Sequence, residues 1–425
     1  MKISYISLGC PKNEVDLETI LGGLQSGAEI IHEPENADVV IINTCAFIND
    51  ARQESVDHIL AALEKRRHDP QFSVLVTGCL AQRYREELQR EIPEISGYYD
   101  TTDPVRTLRQ IQQHLHLPET SGRRMQVTPL HYAYLKIAEG CNNRCSYCAI
   151  PLIKGDYVSR PLDEIVTEAE QLAKAGVKEL MVVAQDTTQY GHDLGAGHTL
   201  TDVLKSLARI DDLHWIRLLY THPAHWRDEF IDTIASLDKV VNYIDLPIQH
   251  ISDPILKSMG RHTTRREIET LIHKLRERIP GLTLRTSVIT GYPGESKAHF
   301  RELLDFIEGI GFDRLGVFTY SQEQDTRAAR LPDDVPDKVK QARKQEIMEL
   351  QADIALFKNK ELVGLEEKVI IDQTDHELNM AIGRTYRDSP DIDNTVILPL
   401  PAESGKIYRV RFTGADIYDL HGVIL

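Results

Sequence analysis

Three short apolar runs, each followed closely by a cysteine, divide the first part of the chain. They are rich in branched residues and cover residues 3–8, 39–42 and 74–76. A stretch with helical character follows each run, for example at residues 49–66. Short buried strands that alternate with helices indicate a parallel sheet with helices on its faces. We therefore predict a parallel α/β domain over residues 1–118.

The same alternation resumes after residues 118–129, which lack apolar periodicity and are predicted to be a linker. Six further apolar runs are candidate strands, at residues 134–138, 180–184, 215–219, 241–246, 282–289 and 315–320. Helical stretches between them include residues 162–175 and 265–278. Six strand–helix units in succession predict a barrel-like parallel sheet, a partial (βα)6 barrel, over residues 128–358.

The last part of the chain changes character. A long polar helix is predicted at residues 337–360, and short runs of alternating apolar and polar positions follow, for example at 367–371 and 407–412. Alternation with a period of two is typical of half-buried strands, and turn residues separate the runs. We predict a small antiparallel β-barrel over residues 360–425, which makes the whole chain an α/β protein of three domains.

Charge and hydropathy narrow the possible functions. The 425 residues include 49 Lys and Arg against 65 Asp and Glu, a formal net charge of −16. This balance argues against a protein that binds nucleic acid mainly through phosphate contacts, and it is compatible with a basic protein partner. Apolar runs fall short of the ~18–20 residues that a membrane span needs, and the chain starts with a strand-like segment. We expect a cytoplasmic protein without membrane contact.

The most specific local pattern is a C-x3-C-x2-C spacing formed by Cys141, Cys145 and Cys148. Thiolates suit zinc or iron–sulfur clusters, and a four-iron cluster normally takes four cysteines. Three ligands would leave one iron open for a substrate or cofactor. The alternative is a structural zinc site, but such sites usually combine paired C-x2-C units with a closing ligand. The spacing therefore favours a cluster with an open iron.

Cys10, Cys45 and Cys79 form a second set, because each follows the end of a predicted strand. The carboxyl ends of parallel strands meet at one edge of a sheet, where open α/β folds build ligand sites. Three thiolates at that edge could hold a second cluster. The alternative is that the three are buried cysteines that act as small apolar residues. The threefold recurrence favours the cluster.

These residues resemble a known family. The Cys141–Cys148 segment resembles the signature of radical S-adenosylmethionine (SAM) enzymes, and the chain as a whole is similar to the methylthiotransferases among them. The similarity implies a Rossmann-like N-terminal domain, a radical SAM core and a C-terminal TRAM barrel. Three motifs resemble the branch that modifies an aspartate of small-subunit ribosomal protein twelve: Leu8-Gly9-Cys10-Pro11-Lys12-Asn13, Asn43-Thr44-Cys45-Ala46-Phe47-Ile48 and Cys148-Ala149-Ile150-Pro151. The branch that modifies tRNA typically carries Gln-Met in place of Pro11-Lys12.

The resemblance implies an activity and its cofactors. Two four-iron–four-sulfur (4Fe–4S) clusters are expected, one per cysteine set, together with SAM as radical source and methyl donor. The cluster at Cys141, Cys145 and Cys148 would chelate SAM, and the other cluster would supply the sulfur. The expected product carries a methylthio group on the β-carbon of an aspartate. Expected partners are ribosomal protein twelve, either free or on the ribosomal subunit, a reducing electron donor and a sulfur donor.

Further residues are candidates for binding SAM. Gln185 and Asp186 end the second strand of the core and could meet the methionyl group, while Arg285 could pair with its carboxylate. The other candidates are Ser287 on the face of Arg285, Gly291 in a tight loop suited to a nucleoside, Tyr147 over the adenine, and Gln249 in a motif that lines the cavity. For each residue the alternative is a polar side chain that caps a strand. His222 and His225 are interpreted as ordinary surface residues.

Two other functions remain open from the sequence: a tRNA adenosine methylthiotransferase, and a non-catalytic iron–sulfur protein of ribosome assembly. Residues 361–425 contain 6 basic and 12 acidic side chains, which argues against direct RNA binding. The same acidity suits a Lys- and Arg-rich protein. We expect Asp388, Asp391 and Asp393 to belong to that docking surface.

Overall fold

The computed structural model describes residues 1–46, 48–195 and 198–425, so Phe47 of the second motif lies outside the described residues. The chain forms two compact units. The N-terminal unit consists of Met1–Val127, Glu139–Asn142 and Cys148–Val158. The C-terminal unit consists of Thr128–Ala138, Asn143–Tyr147 and Ser159–Leu425. The core and the C-terminal barrel therefore belong to one unit, while the three boundaries given above stay a prediction.

The N-terminal unit contains a five-stranded parallel sheet in the order β2-β1-β3-β4-β5. Its strands are β1 (Lys2–Ser7), β2 (Glu29–Ile30), β3 (Val39–Thr44), β4 (Ser73–Gly78) and β5 (Gly97–Tyr98). Its helices are α1 (Pro11–Leu24), α2 (Asn49–His68), α3 (Cys79–Arg83), α4 (Arg85–Glu91), α5 (Pro104–His114) and α6 (Ile150–Lys154), with a 3-10 turn at Pro34–Asn36. The predicted parallel α/β fold is confirmed.

Helices cover both faces of this sheet because β3 is apolar at every position from Val39 to Ile42. Val40 and Ile42 pack into a core with side chains of α2 and α3, whereas Val39 and Ile41 pack into a second core with α1 and α5. Successive side chains of a strand point to opposite faces, so a continuous apolar run requires a cover on each side.

Most of the predicted linker packs against the N-terminal unit. Residues 115–131 have no helix or strand, but the part up to Val127 belongs to the N-terminal unit. The backbone N–H of Val127 donates to Glu18 Oε1 on α1 at 2.6 Å, and Arg124 forms a buried ion pair with the same carboxylate. The polar side chains of this stretch pack against a helix, which the lack of apolar periodicity could not reveal.

The C-terminal unit contains an open six-stranded parallel sheet in the order β13-β12-β11-β10-β9-β6. Its strands are β6 (Tyr132–Lys136), β9 (Glu179–Val183), β10 (Trp215–Leu218), β11 (Val240–Asp245), β12 (Thr283–Thr290) and β13 (Arg314–Thr319), and two-residue strands lie at β7 (Ala138–Glu139) and β8 (Val158–Ser159). All six predicted strands are present within two residues of their expected bounds. The partial barrel is therefore confirmed.

Helices connect these strands, as the sequence predicts. They are α7 (Leu162–Lys174), α8 (Leu200–Ala208), α9 (Asp228–Ser236), α10 (Asp253–Met259), α11 (Arg265–Arg278), α12 (Lys297–Ile310) and α13 (Asp337–Leu362), with 3-10 turns at Thr187–Gln189, Pro223–His225 and Ala328–Arg330. A capping box formed by Thr264 and Glu267 fixes the start of α11. Within the described ranges, no helix is both long and apolar enough to cross a membrane.

A closed five-stranded barrel follows α13, in the order β14-β15-β16-β18-β17. Its strands are β14 (Glu366–Asp375), β15 (Met380–Arg384), β16 (Thr395–Pro399), β17 (Ile407–Ala415) and β18 (Asp419–Ile424). The predicted small barrel is confirmed, with one difference. β16 and β18 pair in parallel, while the other pairs are antiparallel.

Buried ion pairs join this barrel to the core sheet of the same unit. Glu179, the first residue of β9, accepts from Arg217 Nε at 2.8 Å and pairs with Arg384 of β15. The side chains of Glu179 and Arg217 are 0% exposed. Burial acts to raise the pKa of Glu179, but the two guanidinium groups hold it below its ordinary value of 4.5.

The acidic docking surface predicted for the barrel is wrong for two of its three carboxylates. Asp388 is 1% exposed and accepts from Arg314 Nε at 2.9 Å. Asp393 accepts from the hydroxyl of Tyr243 at 2.6 Å and its side chain is also buried. Asp391 is exposed. Counting charge along the sequence could not separate carboxylates that neutralise buried arginines from those that face solvent.

Removing Glu179 should destabilise the fold strongly. Glu179→Leu leaves buried Arg217 without a carboxylate partner and leaves Arg384 with Asp372 alone. Removing one partner of a buried ion pair costs about 3–5 kcal/mol. The pair's contribution should be complete above pH 4.5 and lost as the pH falls through the lowered folded-state pKa. Urea unfolding at several pH values measures both effects. Asp305→Ala, which removes an exposed i,i+4 pair with Arg301, should change stability by less than about 1 kcal/mol.

Candidate active-site residues

The first cysteine set lies at the carboxyl edge of the N-terminal sheet. Cys10 follows β1 and precedes α1, Cys45 follows β3, and Cys79 follows β4 as the first residue of α3. Burial raises the pKa of the Cys79 thiol to about 12, and the charges of Cys10 and Cys45 also act to raise it. β1, β3 and β4 are neighbouring strands of the sheet, so the three cysteines follow strand ends at the same edge.

The surroundings of Cys79 are polar and closely fitted. Asn13 on α1 donates from Nδ2 to Cys79 Sγ at 3.2 Å, and Asn43 donates from Nδ2 to the carbonyl of Asn13 at 2.9 Å. Gly78 has φ +94°, and a Cβ there would lie 2.3 Å from the carbonyl oxygen of Thr44. The turn into Cys79 therefore requires glycine. An amide donor to sulfur favours the thiolate, the form that binds metal.

The second cysteine set is divided between the two units. Cys141 and Cys148 belong to the N-terminal unit, where Cys141 is buried and its backbone N–H donates to the carbonyl of Gly155 at 3.1 Å. Gly140 has φ +76°, and a Cβ there would lie 2.0 Å from the carbonyl oxygen of Asp156. The approach to Cys141 is thus fixed by the segment that follows Cys148.

Cys145 belongs to the C-terminal unit and lies beside a buried guanidinium. Arg261, after α10, places Nη1 3.7 Å from Cys145 Sγ and donates from Nη2 to the carbonyl of Pro247 at 2.5 Å. The next residue, Ser146, donates its backbone N–H to the carbonyl of Met259 at 2.8 Å. A fixed positive charge near a thiol stabilises its thiolate. The surroundings of Cys145 therefore suit a metal ligand.

Asp186 lies at the centre of a hydrogen-bond network that follows β9. Its Oδ2 accepts from Asn143 Nδ2 at 2.7 Å and from Gln189 Nε2 at 3.2 Å. It also lies 2.7 Å from His225 Nδ1. Burial acts to raise the pKa of Asp186, but the hydrogen bond from His225 and the other donors hold it below its ordinary value. Gln185, the neighbouring candidate, is partly buried at the same strand end.

His222 is buried, so its interpretation as a surface residue is wrong. Burial and the charge of Arg261 hold the pKa of His222 well below 6.5, so the ring is neutral at pH 7. Its Nδ1 accepts from the backbone N–H of Ala224 at 3.2 Å, so the proton lies on Nε2. Nε2 is buried and has no hydrogen-bond partner among the residues that the structure describes. His222 therefore offers a spare donor.

The candidates on β12 are Arg285 and Ser287. Arg285 Nη1 lies 3.0 Å from Asp245 and its Nε lies 3.3 Å from Asp393. Arg285 is thus paired with two carboxylates within the C-terminal unit. Ser287 is buried next along that face, and its carbonyl accepts from the backbone N–H of Gln249 at 2.9 Å. Gln249 adopts a left-handed conformation, with φ +69°.

The loop after β12 connects to the Cys145 segment within the C-terminal unit. The backbone N–H groups of Gly291 and Tyr292 donate to the buried carboxylate of Glu295, which fixes the loop from inside. The hydroxyls of Tyr292 and Ser146 lie 2.9 Å apart. Tyr147 is partly buried and packs on the apolar cluster that contains Tyr292. Tyr147 therefore packs against the loop that contains Gly291. The backbone N–H of Gly291 already donates to Glu295.

Three family profiles match the chain. The radical SAM superfamily matches residues 135–307, the uncharacterized protein family UPF0004 matches residues 2–99, and the TRAM domain matches residues 363–425. The profiles thus cover the N-terminal sheet, most of the core sheet and the C-terminal barrel.

Full-length relatives are similar to the chain. It is 44% identical to the ribosomal protein uS12 methylthiotransferase RimO of Geobacter sulfurreducens, over 100% of this chain and 98% of that protein. It is 43% identical to RimO of Christiangramia forsetii, over 99% of this chain and 94% of that protein.

A solved structure shares the fold. The radical S-adenosylmethionine methyltransferase TsrM from Kitasatospora setae, with tryptophan and a SAM analogue bound, matches with a TM-score of 0.55. The match covers 88% of this chain and 79% of that chain at 14% identity. At this identity the likeness concerns the fold alone.

Proposed function

The chain belongs to the family of ribosomal protein uS12 methylthiotransferases, and on that premise we propose that it methylthiolates the β-carbon of an aspartate in this ribosomal protein. The observation that carries the proposal is the pair of three-cysteine sets within one chain. One set follows three strand ends of a parallel sheet, and the other has the C-x3-C-x2-C spacing at the start of a radical SAM core.

Each cysteine set would hold a 4Fe–4S cluster. Cys10, Cys45 and Cys79 would bind one, and Cys141, Cys145 and Cys148 would bind the other together with SAM. The donors beside Cys79 and Cys145 support this assignment, because both stabilise thiolates. When bound, SAM and the reduced cluster supply the radical chemistry that removes hydrogen from an unactivated carbon.

The chain's own polar residues would orient what is bound. Asp186, with its lowered pKa, stays ionised and can accept from an ammonium group at the strand edge. The spare N–H of His222 can donate to a carboxylate, a group that both SAM and the substrate aspartate carry. Arg261 holds the Cys145 thiolate rather than a ligand, since its terminal nitrogens already face sulfur and a carbonyl.

The deciding experiment compares substrates directly. Anaerobically reconstituted enzyme receives SAM, a reductant and sulfide, with uS12, the small ribosomal subunit or tRNA as acceptor. Mass spectrometry should locate one methylthio group, replacing a hydrogen, on a single aspartate of uS12. Modification of tRNA alone would contradict the protein-directed activity. Absence of SAM cleavage in every reaction would favour a non-catalytic iron–sulfur protein.

His222→Phe should weaken binding of a carboxylate while keeping the aromatic stack on His225, whose ring centroid lies 4.9 Å away. A hydrogen bond to a charged group contributes about 1.5–3 kcal/mol, so the affinity should fall about tenfold or more. Equilibrium SAM binding and the KM for uS12 show which carboxylate depends on the donor. The exposed His273→Phe serves as control and should change neither value.

A further inference from the structure

Lys154 is a buried lysine that the proposed chemistry does not use. It ends α6, six residues after Cys148, and its side chain is 2% exposed in the N-terminal unit. Its Nζ lies 3.1 Å from Asp16 and 3.3 Å from Glu139, and it donates to the carbonyl of Thr101 at 2.6 Å. Burying an ammonium group costs free energy unless the group is paired, so a buried lysine suggests a role other than stability.

Two neighbouring side chains of α1 contact the first cysteine set and Lys154. Asn13 and Asp16 are three residues apart, and such residues are neighbours on a helix surface. Asn13 holds Cys79, and Asp16 holds Lys154. In agreement, α3, which begins at Cys79, packs against α6, which ends at Lys154. The Lys154 charge, with its carboxylate partners Asp16 and Glu139, therefore belongs to the surroundings of the first cysteine set.

We propose that Lys154 is a positioning residue that sets the reduction potential of the cluster held by Cys10, Cys45 and Cys79. This inference rests on the function proposed above. Reduction adds one electron to the cluster, and no bond forms or breaks. A fixed positive charge favours the more negative reduced form, while a nearby carboxylate disfavours it. Cluster potentials respond to net charge and to hydrogen bonds at sulfur, and both are supplied here.

Apolar packing also holds the segment that carries Lys154. Ile153 and Ala149 pack into the apolar core of the N-terminal unit together with Cys79 and Leu80. Lys154 is thus held in place from the apolar side of α6 as well as by its polar partners. Cys148, a proposed ligand of the second cluster, lies just before this segment. Lys154 is therefore proposed to adjust the first cluster from a segment that adjoins a ligand of the second.

The test is an EPR-monitored redox titration of the full chain with Cys141, Cys145 and Cys148 changed to Ala, so that one cluster site remains. Lys154→Met should shift the midpoint to a more negative potential, and Lys154→Arg should restore it. Asp16→Asn should shift the midpoint to a more positive potential, because it removes an opposing charge. Opposite signs for Lys154→Met and Asp16→Asn distinguish a charge effect from damage to packing.

Shifts of the same sign, or unchanged midpoints in both variants, would overturn the role of Lys154. If Lys154→Met cannot retain iron, Asp16→Asn and Glu139→Gln decide the matter, since a positive shift in both is still expected. If the triple-alanine chain holds no iron at all, the cluster assignment fails and this inference fails with it. If iron is present but its midpoint potential is the same in all these variants, the role of Lys154 is wrong and the proposed function stands.

Discussion

Cys145→Ala should abolish reductive cleavage of SAM, whereas Cys45→Ala should retain cleavage and lose methylthio transfer. The first change removes a ligand of the cluster that is proposed to bind SAM. The second damages only the site that is proposed to supply sulfur. Deoxyadenosine release, measured by chromatography under anaerobic reduction, should therefore fall to background in Cys145→Ala and stay measurable in Cys45→Ala. Methylthio-aspartate should be absent in both variants.

Circular dichroism and urea unfolding provide the control for this pair. Both cysteines are only partly buried, so alanine should leave the secondary structure unchanged. Equal loss of SAM cleavage in two folded variants would contradict the division of labour between the cysteine sets. Retained cleavage in Cys145→Ala would remove this residue from the SAM site altogether.

The fold could be predicted from the sequence because each strand shows its burial in the apolar residues of its own short segment. A continuous apolar run in a strand requires cover on both faces, and β3 shows such a run directly in the residues Val39 to Ile42. The three strand-then-cysteine recurrences place Cys10, Cys45 and Cys79 together by topology alone. Parallel strands bring their carboxyl ends to one edge, whatever the distance along the chain.

The polar residues around the cysteines could not be predicted in the same way. His222, Arg261 and Lys154 carry charges or donors that are usually exposed, and only their tertiary partners show that they are buried. The positions of His222 and Lys154 along the chain gave a weak indication of a role. His222 follows the end of β10 within a few residues, which is where sheet-edge sites form, and Lys154 lies close to Cys148.

The error at Asp388 and Asp393 has a related cause. Net charge along residues 361–425 counts every carboxylate equally, although Arg314 and Arg285 lie elsewhere in the chain. Arg285, on the fifth strand of the core, stays a predicted partner of the SAM carboxylate. The structure adds that Arg285 lies beside two carboxylates, Asp245 and Asp393. Carboxylates in buried ion pairs between distant segments, such as Asp388 and Asp393, are therefore easily mistaken for surface charges when only the sequence is read.

Iron content should report two separate clusters. Anaerobically reconstituted protein should hold about eight irons per chain, because two 4Fe–4S clusters are expected. Changing Cys141, Cys145 and Cys148 to Ala should leave about four irons, and so should changing Cys10, Cys45 and Cys79. Each half-loaded variant should retain an iron–sulfur absorption band, because the two sets share no ligand. A wild type that never exceeds four irons, or a triple variant that loses all iron, would contradict the two-cluster assignment.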